Sequence, residues 1–193
     1  MNESTDPYLY PGTNVLRNRR NLRNTQVLDG FEASATQRRL VELAVKPTFG
    51  TFDSSHFQAI HRFIFQDVYE WAGQFRTVNI SKGGHQFGSS QLIEMTLGAI
   101  LQKLPGESFL KNLDRESFSH RCGWYFGEIN AIHSFREGNG RTQREFLRQL
   151  AAQAGFSLDW RRVGRDTMTA TSRKTFSTGK SGSMTDIIRT CTR

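Results

Sequence analysis

Residues 133–144 read His-Ser-Phe-Arg-Glu-Gly-Asn-Gly-Arg-Thr-Gln-Arg, a polar, glycine-containing loop set between two stretches of helical periodicity. Upstream, Phe118, Cys122, Tyr125, Phe126 and Ile129 recur at three- and four-residue spacing, which predicts a helix from about Asp114 to Ile132. Downstream, Phe146, Leu147, Leu150 and Ala151 predict a second helix from about Asn139 to Ala154, with Gly155 as its stop. Residues 115–154 therefore read as helix–loop–helix, and the rest of the chain is interpreted outward from it.

The neighbouring segments are mostly helical as well. Phe57, Ile60, His61, Ile64, Phe65 and Val68 form one apolar stripe, with Asp53 or Ser54 as N-cap and Gly73 just past the end. A more Arg-rich helical pattern runs from about Asn14 to Lys46, with Leu28, Phe31, Ala35, Leu43 and Ala44 inward and Pro47 and Gly50 closing it. Ile93, Leu97, Ile100, Leu101 and Leu104 predict another helix, stopped by Pro105-Gly106. Met184, Ile187, Ile188 and Cys191 predict a short closing helix. The period changes only over 75–88. There Phe75, Val78 and Ile80 precede Ser81-Lys82-Gly83-Gly84 and a return through Phe87, which reads as a β-hairpin. The expected class is all-α with one small hairpin. One domain, 1–193, is expected, with 1–13 as an irregular lead-in.

The loop itself carries the chemistry. A helix beginning at Asn139 presents unpaired N–H groups and the positive end of its dipole. Gly138 and Gly140 let the backbone approach an anion closely. Asn139 can cap the helix or donate its amide to phosphate, while Arg141 and Arg144 reach further oxygens as forked donors. This is a cradle for more than one phosphate group. Glu137 would repel such a ligand unless a cation lay between them, and Mg²⁺ prefers a site of one or two carboxylates plus phosphate oxygens. His133 is a base suited to neutral pH. Against this stand plainer readings: a structural histidine, a helix-start acid, solvated arginines, and Phe135 as a core anchor.

Composition narrows the partners. A formal net charge of +8 favours an anionic partner, whether nucleotide, nucleic acid or acidic protein. Fifteen Phe and three Trp argue against disorder throughout. The two cysteines, Cys122 and Cys191, have no metal-ligand spacing and suit a reducing compartment. No signal core or membrane-length apolar segment is present, so a cytoplasmic protein is expected.

Residues 133–144 resemble the Fic motif, His-x-Phe-x-[Asp/Glu]-Gly-Asn-Gly-Arg-x-x-Arg, at every fixed position. Ser134 replaces the usual Pro without touching a reactive group. The resemblance extends to Asp6-Pro7-Tyr8, to residues 68–73, to the hairpin and to Ala154-Gly155-Phe156 onward, and is to bacterial toxin-type Fic proteins. It implies a helical fold whose hairpin is a flap beside the active site, and transfer of AMP from ATP to a Ser, Thr or Tyr hydroxyl of a target protein. His133 would deprotonate the hydroxyl. Glu137 would hold Mg²⁺, Gly138, Asn139 and Gly140 would form the anion hole, and Arg141 and Arg144 would hold the outer phosphates. Ile80, Ser81, Lys82, Gly83 and Phe87 would dock the target by β-augmentation. Met168 and Ser172 are candidates for the adenine pocket. The family's inhibitory pattern, [Ser/Thr]-x-x-x-Glu-[Gly/Asn], is not found in either terminal region. The resemblance therefore implies a small antitoxin that supplies a glutamate to Arg144. A part of a longer effector moved into a host cell is the other setting.

Competing readings are a Doc-like kinase using the γ-phosphate, which has Lys where this chain has Gly140, and a basic nucleic-acid-binding module. The second lacks a binding motif, although weak affinity from charge remains. Residues 177–181, Ser-Thr-Gly-Lys-Ser, resemble the end of a Walker A loop, but the earlier Gly would fall at Lys174 and no strand leads in. A zinc helix from His133 and Glu137 lacks a third ligand.

Overall fold

The computed structural model describes residues 6–82, 84–178 and 182–193. Gly83 of the hairpin, residues 1–5 of the lead-in and residues 179–181 of the Walker-like stretch lie outside the described residues. The elements are α1 Thr25–Val45, α2 Ser54–Phe65, β1 Ser81–Lys82, β2 His85–Gln86, α3 Ile93–Leu101, α4 Lys103–Gly106, α5 Arg115–Ile132, α6 Asn139–Ala154, α7 Arg165–Thr178 and α8 Gly182–Cys191. The expected all-α class with one small antiparallel hairpin is what is observed.

Side-chain caps fix several helix starts. Asn24 accepts from the Val27 N–H, Asp53 from that of His56, and Asp114 from those of Glu116 and Ser117. α5 is the central element, packed by α3, α6, α7 and α8. Phe118, Cys122, Tyr125, Phe126 and Ile129 are all buried on it, as the spacing predicts. α6 buries Phe146, Leu147, Leu150 and Ala151 and ends at Gly155, whose φ of 90° suits a residue without Cβ. Met184, Ile187, Ile188 and Cys191 of α8 are buried too. The chain end is fastened by reciprocal backbone hydrogen bonds between Ser157 and Arg193.

Several expectations are corrected. α1 starts at Thr25, not near Asn14. Asn18 turns the preceding segment by donating to the carbonyls of Leu16 and Leu22 and accepting from the Leu22 N–H, local bonds that compete with helix. Ala44 is exposed, because Leu43 alone completes the inward stripe at that end. α2 ends at Phe65, so Val68 is buried in the turn that follows and Gly73 lies well beyond the helix. The strands are shorter than the apolar run: Phe75, Val78 and Ile80 precede β1, and Ser81 pairs with Gln86 and Lys82 with His85. Pro105 and Gly106 do not simply stop a helix but sit in the single turn of α4, after α3 has ended at Leu101. α7 was not anticipated, since its Thr- and Ser-rich sequence has no apolar stripe. Among the described residues no helix is long and apolar enough to cross a membrane.

Candidate active site

The loop between α5 and α6 is built from its backbone outward. His133 ends α5 in the left-handed region, at φ 52° and ψ 63°, a conformation uncommon for a residue with a Cβ. Its ring stacks on Phe87 after the hairpin, with centroids 3.9 Å apart. Phe135 is fully buried, stacked on His61 at 3.8 Å and on Phe57 at 5.4 Å, so it does anchor the loop in the core.

Asn139 departs from both roles suggested for it. Its side chain is buried; Oδ1 accepts from the Phe135 N–H at 2.8 Å and Nδ2 donates to the Phe135 carbonyl at 2.7 Å. It closes the loop on itself, and only its backbone N–H remains for an anion. Gly138, not Asn139, occupies the cap position, with φ 83° and no side-chain cap. A Cβ there would lie 2.2 Å from Phe65 Cζ. Glycine is therefore required twice, by conformation and by space.

Polar groups from elsewhere hold this loop. His61, wholly buried in the apolar stripe of α2, accepts the Gly73 N–H at Nδ1 (2.8 Å). Its Nε2 therefore carries the proton and donates to the Glu137 carbonyl at 3.1 Å. Burial, and secondarily the charge of Arg141, lowers its pKa to about 3, so it stays neutral. Glu137 is half-exposed and takes the Gly138 N–H on Oε1 at 2.9 Å.

The two arginines differ. Arg141 donates through Nη2 to Glu32 Oε1 at 2.6 Å and through Nη1 to Thr36 Oγ1 at 3.2 Å, with its guanidinium 4.7 Å from the Phe65 ring centroid. The Tyr69 hydroxyl donates to the other Glu32 oxygen. Burial, the Glu32 charge and that hydrogen bond all push the Tyr69 pKa up. Arg144 has no carboxylate within ion-pair distance among the described residues. Burial first, and Arg141 second, lower its pKa.

These groups line a cleft of about 910 Å³. Glu137, Gly138, Gly140, Arg141 and Arg144 stand on its wall together with Asp29 and Glu32 of α1, and the apolar side chains of Trp160, Val163 and Met168 also line it. Of the two adenine candidates Met168 lines the cleft, whereas Ser172, one turn further along α7, does not. His133 also lies outside the lining, under the hairpin. Ile80 accepts the Phe87 N–H at 3.1 Å, while Ser81 and Lys82 form β1. Among the described residues no three His, Cys, Asp or Glu side chains cluster together.

Sequence reasoning missed Glu32, Tyr69, Trp160 and the role of His61. Two of them carried a signal: Glu32 falls between the inward Leu28 and Ala35 of α1, and His61 interrupts an otherwise apolar stripe. A polar residue at a core position of a helix needs a partner.

The sequence profile of the Fic/DOC family matches residues 51–151. Protein adenylyltransferase VbhT of Bartonella schoenbuchensis is 43% identical over 186 residues, which are 96% of this chain but 39% of VbhT. A protein of Escherichia coli named "Probable protein adenylyltransferase Fic" is 38% identical over 164 residues, 85% of this chain and 81% of that protein. Among solved structures, BepC of Bartonella tribocorum with bound AMPPNP superposes with a TM-score of 0.91 at 25% identity, covering 96% of each chain. The N-terminal Fic domain of a Bartonella quintana protein with bound ADP gives 0.90 at 27% identity, covering 96% of this chain and 94% of that one. With the motif, the helical fold and these matches in agreement, the chain belongs to the Fic/DOC family.

Proposed function

We propose that this chain is a protein adenylyltransferase that moves AMP from ATP to a Ser, Thr or Tyr hydroxyl of a target protein. The observation that carries this reading is the cleft: it joins an uncapped helix start and two arginines to an apolar wall, the combination a nucleoside triphosphate needs. The names and bound nucleotides of the relatives point the same way.

The backbone N–H groups of Asn139 and Gly140 receive phosphate oxygens, while Gly138, its own N–H held by Glu137, lets the backbone come close; Arg141 and Arg144 take the outer phosphates, and Met168, Trp160 and Val163 lie against the adenine. Glu137 fits Mg²⁺: its carboxylate is half-exposed on the wall of the cleft and held through Oε1 by the Gly138 N–H. When bound, Mg²⁺ supplies charge neutralisation along the phosphates. His133, under the hairpin and apart from the cleft wall, meets the target and not the nucleotide. Its imidazole takes the proton of the target hydroxyl, whose oxygen bonds to the α-phosphorus as the bond to the α–β bridging oxygen breaks and pyrophosphate leaves. The hairpin around Ile80–Phe87 aligns the target segment by backbone pairing.

Arg144 is the contact point for regulation. Lacking a carboxylate partner among the described residues, it suits a glutamate brought by a separate small inhibitory protein, which would compete with the γ-phosphate. The setting is the cytoplasm of a bacterium with a toxin–antitoxin pair. The test is incubation with ATP labelled at either the α- or the γ-phosphate. Label from the α-phosphate alone is expected on the target, and Gly140→Lys should abolish it by placing a cation and a long chain where a Cβ already lies 3.2 Å from Arg144 Nη1. Transfer of γ-label would establish the kinase reading instead.

A further inference from the structure

Arg76 is a wholly buried guanidinium that none of the chemistry above uses. It stands in the extended run leading to β1 and is spent on backbone carbonyls. Nε donates to His133 O at 2.8 Å, Nη1 to Val78 O at 2.7 Å, and Nη2 to Ile132 O at 3.1 Å and to Gly88 O. Its own N–H donates to Ser134 O at 3.0 Å. Two of the four side-chain acceptors belong to the hairpin's flanks, Val78 before it and Gly88 after it. The other two are end carbonyls of α5, which have no helical partner and sit at the negative pole of its dipole. Only the planar fork of arginine supplies donors in enough directions to serve all four at once.

The site of this fork is what gives it meaning. The carbonyl of the base, His133, and both flanks of the hairpin meet on one cation. Gly88 is also tied to α5 by its N–H to Ala131 O at 3.2 Å, and Phe87 stacks on the His133 ring. We propose that Arg76 is a positioning residue that locks the hairpin to His133, so that a target segment paired with the hairpin presents its hydroxyl at the imidazole. The proposal rests on the adenylyltransferase reading for its kinetic consequence, but not for its structural one. Arg76 is not among the residues that line the cleft, so nucleotide affinity is expected to change little on its replacement.

The test uses the full chain with Arg76→Lys and Arg76→Met. Lysine keeps the charge but cannot span four acceptors, so it should not rescue. Expected are an ATP dissociation constant within twofold of the parent, and a fall of about 100-fold in kcat/KM for the target, the scale of an ångström of misplacement. Part of that fall should appear as a raised KM for the target. Amide exchange should accelerate locally, at Phe87, Gly88, His133 and Arg76 or its replacement, while Thr142 in α6 keeps its protection. Arg76→Lys alone decides the matter should the methionine variant not fold. Target transfer within threefold of the parent in a folded Arg76→Lys protein overturns the proposal. So does unchanged exchange at the hairpin, or exchange raised equally throughout the chain, which marks a merely structural role. The exchange measurement needs neither ATP nor target, so a parent chain that transfers no AMP would refute the proposed activity while leaving the coupling of hairpin to base open to direct measurement.

Discussion

Replacing Gly138 by Ala puts one methyl group at the point where the core meets the cleft wall. Two costs can be worked from the geometry. With φ at 83°, a Cβ is forced into the left-handed region, costing roughly 1–2 kcal/mol. The methyl carbon would also lie 2.2 Å from Phe65 Cζ and 2.3 Å from Cε2, far inside van der Waals contact. Phe65 has little freedom to yield: it is fully buried, its centroid is 4.7 Å from that of His61, and Arg141 lies over it. Overpacking of this kind costs about 1–3 kcal/mol, so the total is about 2–5 kcal/mol, a large share of a typical domain's stability. Urea unfolding followed by tryptophan fluorescence measures it. The backbone can instead relieve the clash by moving out into the cleft, in which case stability is recovered at the expense of nucleotide affinity, read by calorimetric titration. Gly138→Ala with Phe65→Leu should regain part of the loss, because the shorter side chain vacates the Cζ position; a double-mutant cycle gives the coupling. A Gly138→Ala protein with the parent's midpoint and nucleotide affinity, or a cycle with no coupling to Phe65, would refute the reasoning.

His133→Ala should lower AMP transfer by roughly 10²–10⁴-fold, the usual worth of a positioned base, while leaving ATP affinity nearly intact because His133 does not line the cleft. Near-parental labelling of the target by that variant would remove His133 from the mechanism. Acid should weaken the fold through His61. Its folded pKa of about 3 lies below the unfolded value near 6.5, so the unfolded chain binds the extra proton between those limits. The stability from this group is fully present above about pH 6.5. It is lost at roughly 1.4 kcal/mol per pH unit as pH falls toward 3. Nitrogen shifts of the imidazole check this directly: His61 should remain the neutral Nε2–H tautomer at pH 5, and titration near 6 would contradict the burial argument.

How much of this was legible beforehand follows from the range of each interaction. The helix–loop–helix of α5 and α6 could be read because caps, apolar spacing and stop glycine are local signals, and its chemistry because a motif concentrates it in twelve residues. α7 could not, since Arg165–Thr178 carries too few apolar residues to print a period on its sequence. The supporting shell was hidden for another reason. His61 meets Glu137 across 76 positions, Arg76 meets His133 across 57, and Glu32 meets Arg141 across 109. Only the fold supplies such pairs. Asn139 was misread because an Asn beside a helix start has two uses for its side chain, and the turn at Phe135 took it inward.

The contrast between Arg141 and Arg144 shows what those distant partners accomplish. Both are forked cations on the first turns of α6, and sequence alone makes them equivalent. Glu32, Thr36 and the face of Phe65 fix the first, so it meets a ligand in one orientation and with part of its charge already compensated. The second is half-buried with no carboxylate within ion-pair distance among the described residues, and its partial desolvation disfavours the charge. An anion arriving there recovers that cost, whereas at Arg141 it must share the guanidinium with Glu32. On the proposed nucleotide-binding reading, orientation would therefore come chiefly from Arg141 and the electrostatic gain on binding chiefly from Arg144. This is why a competing carboxylate would act with most effect at the second arginine and not the first.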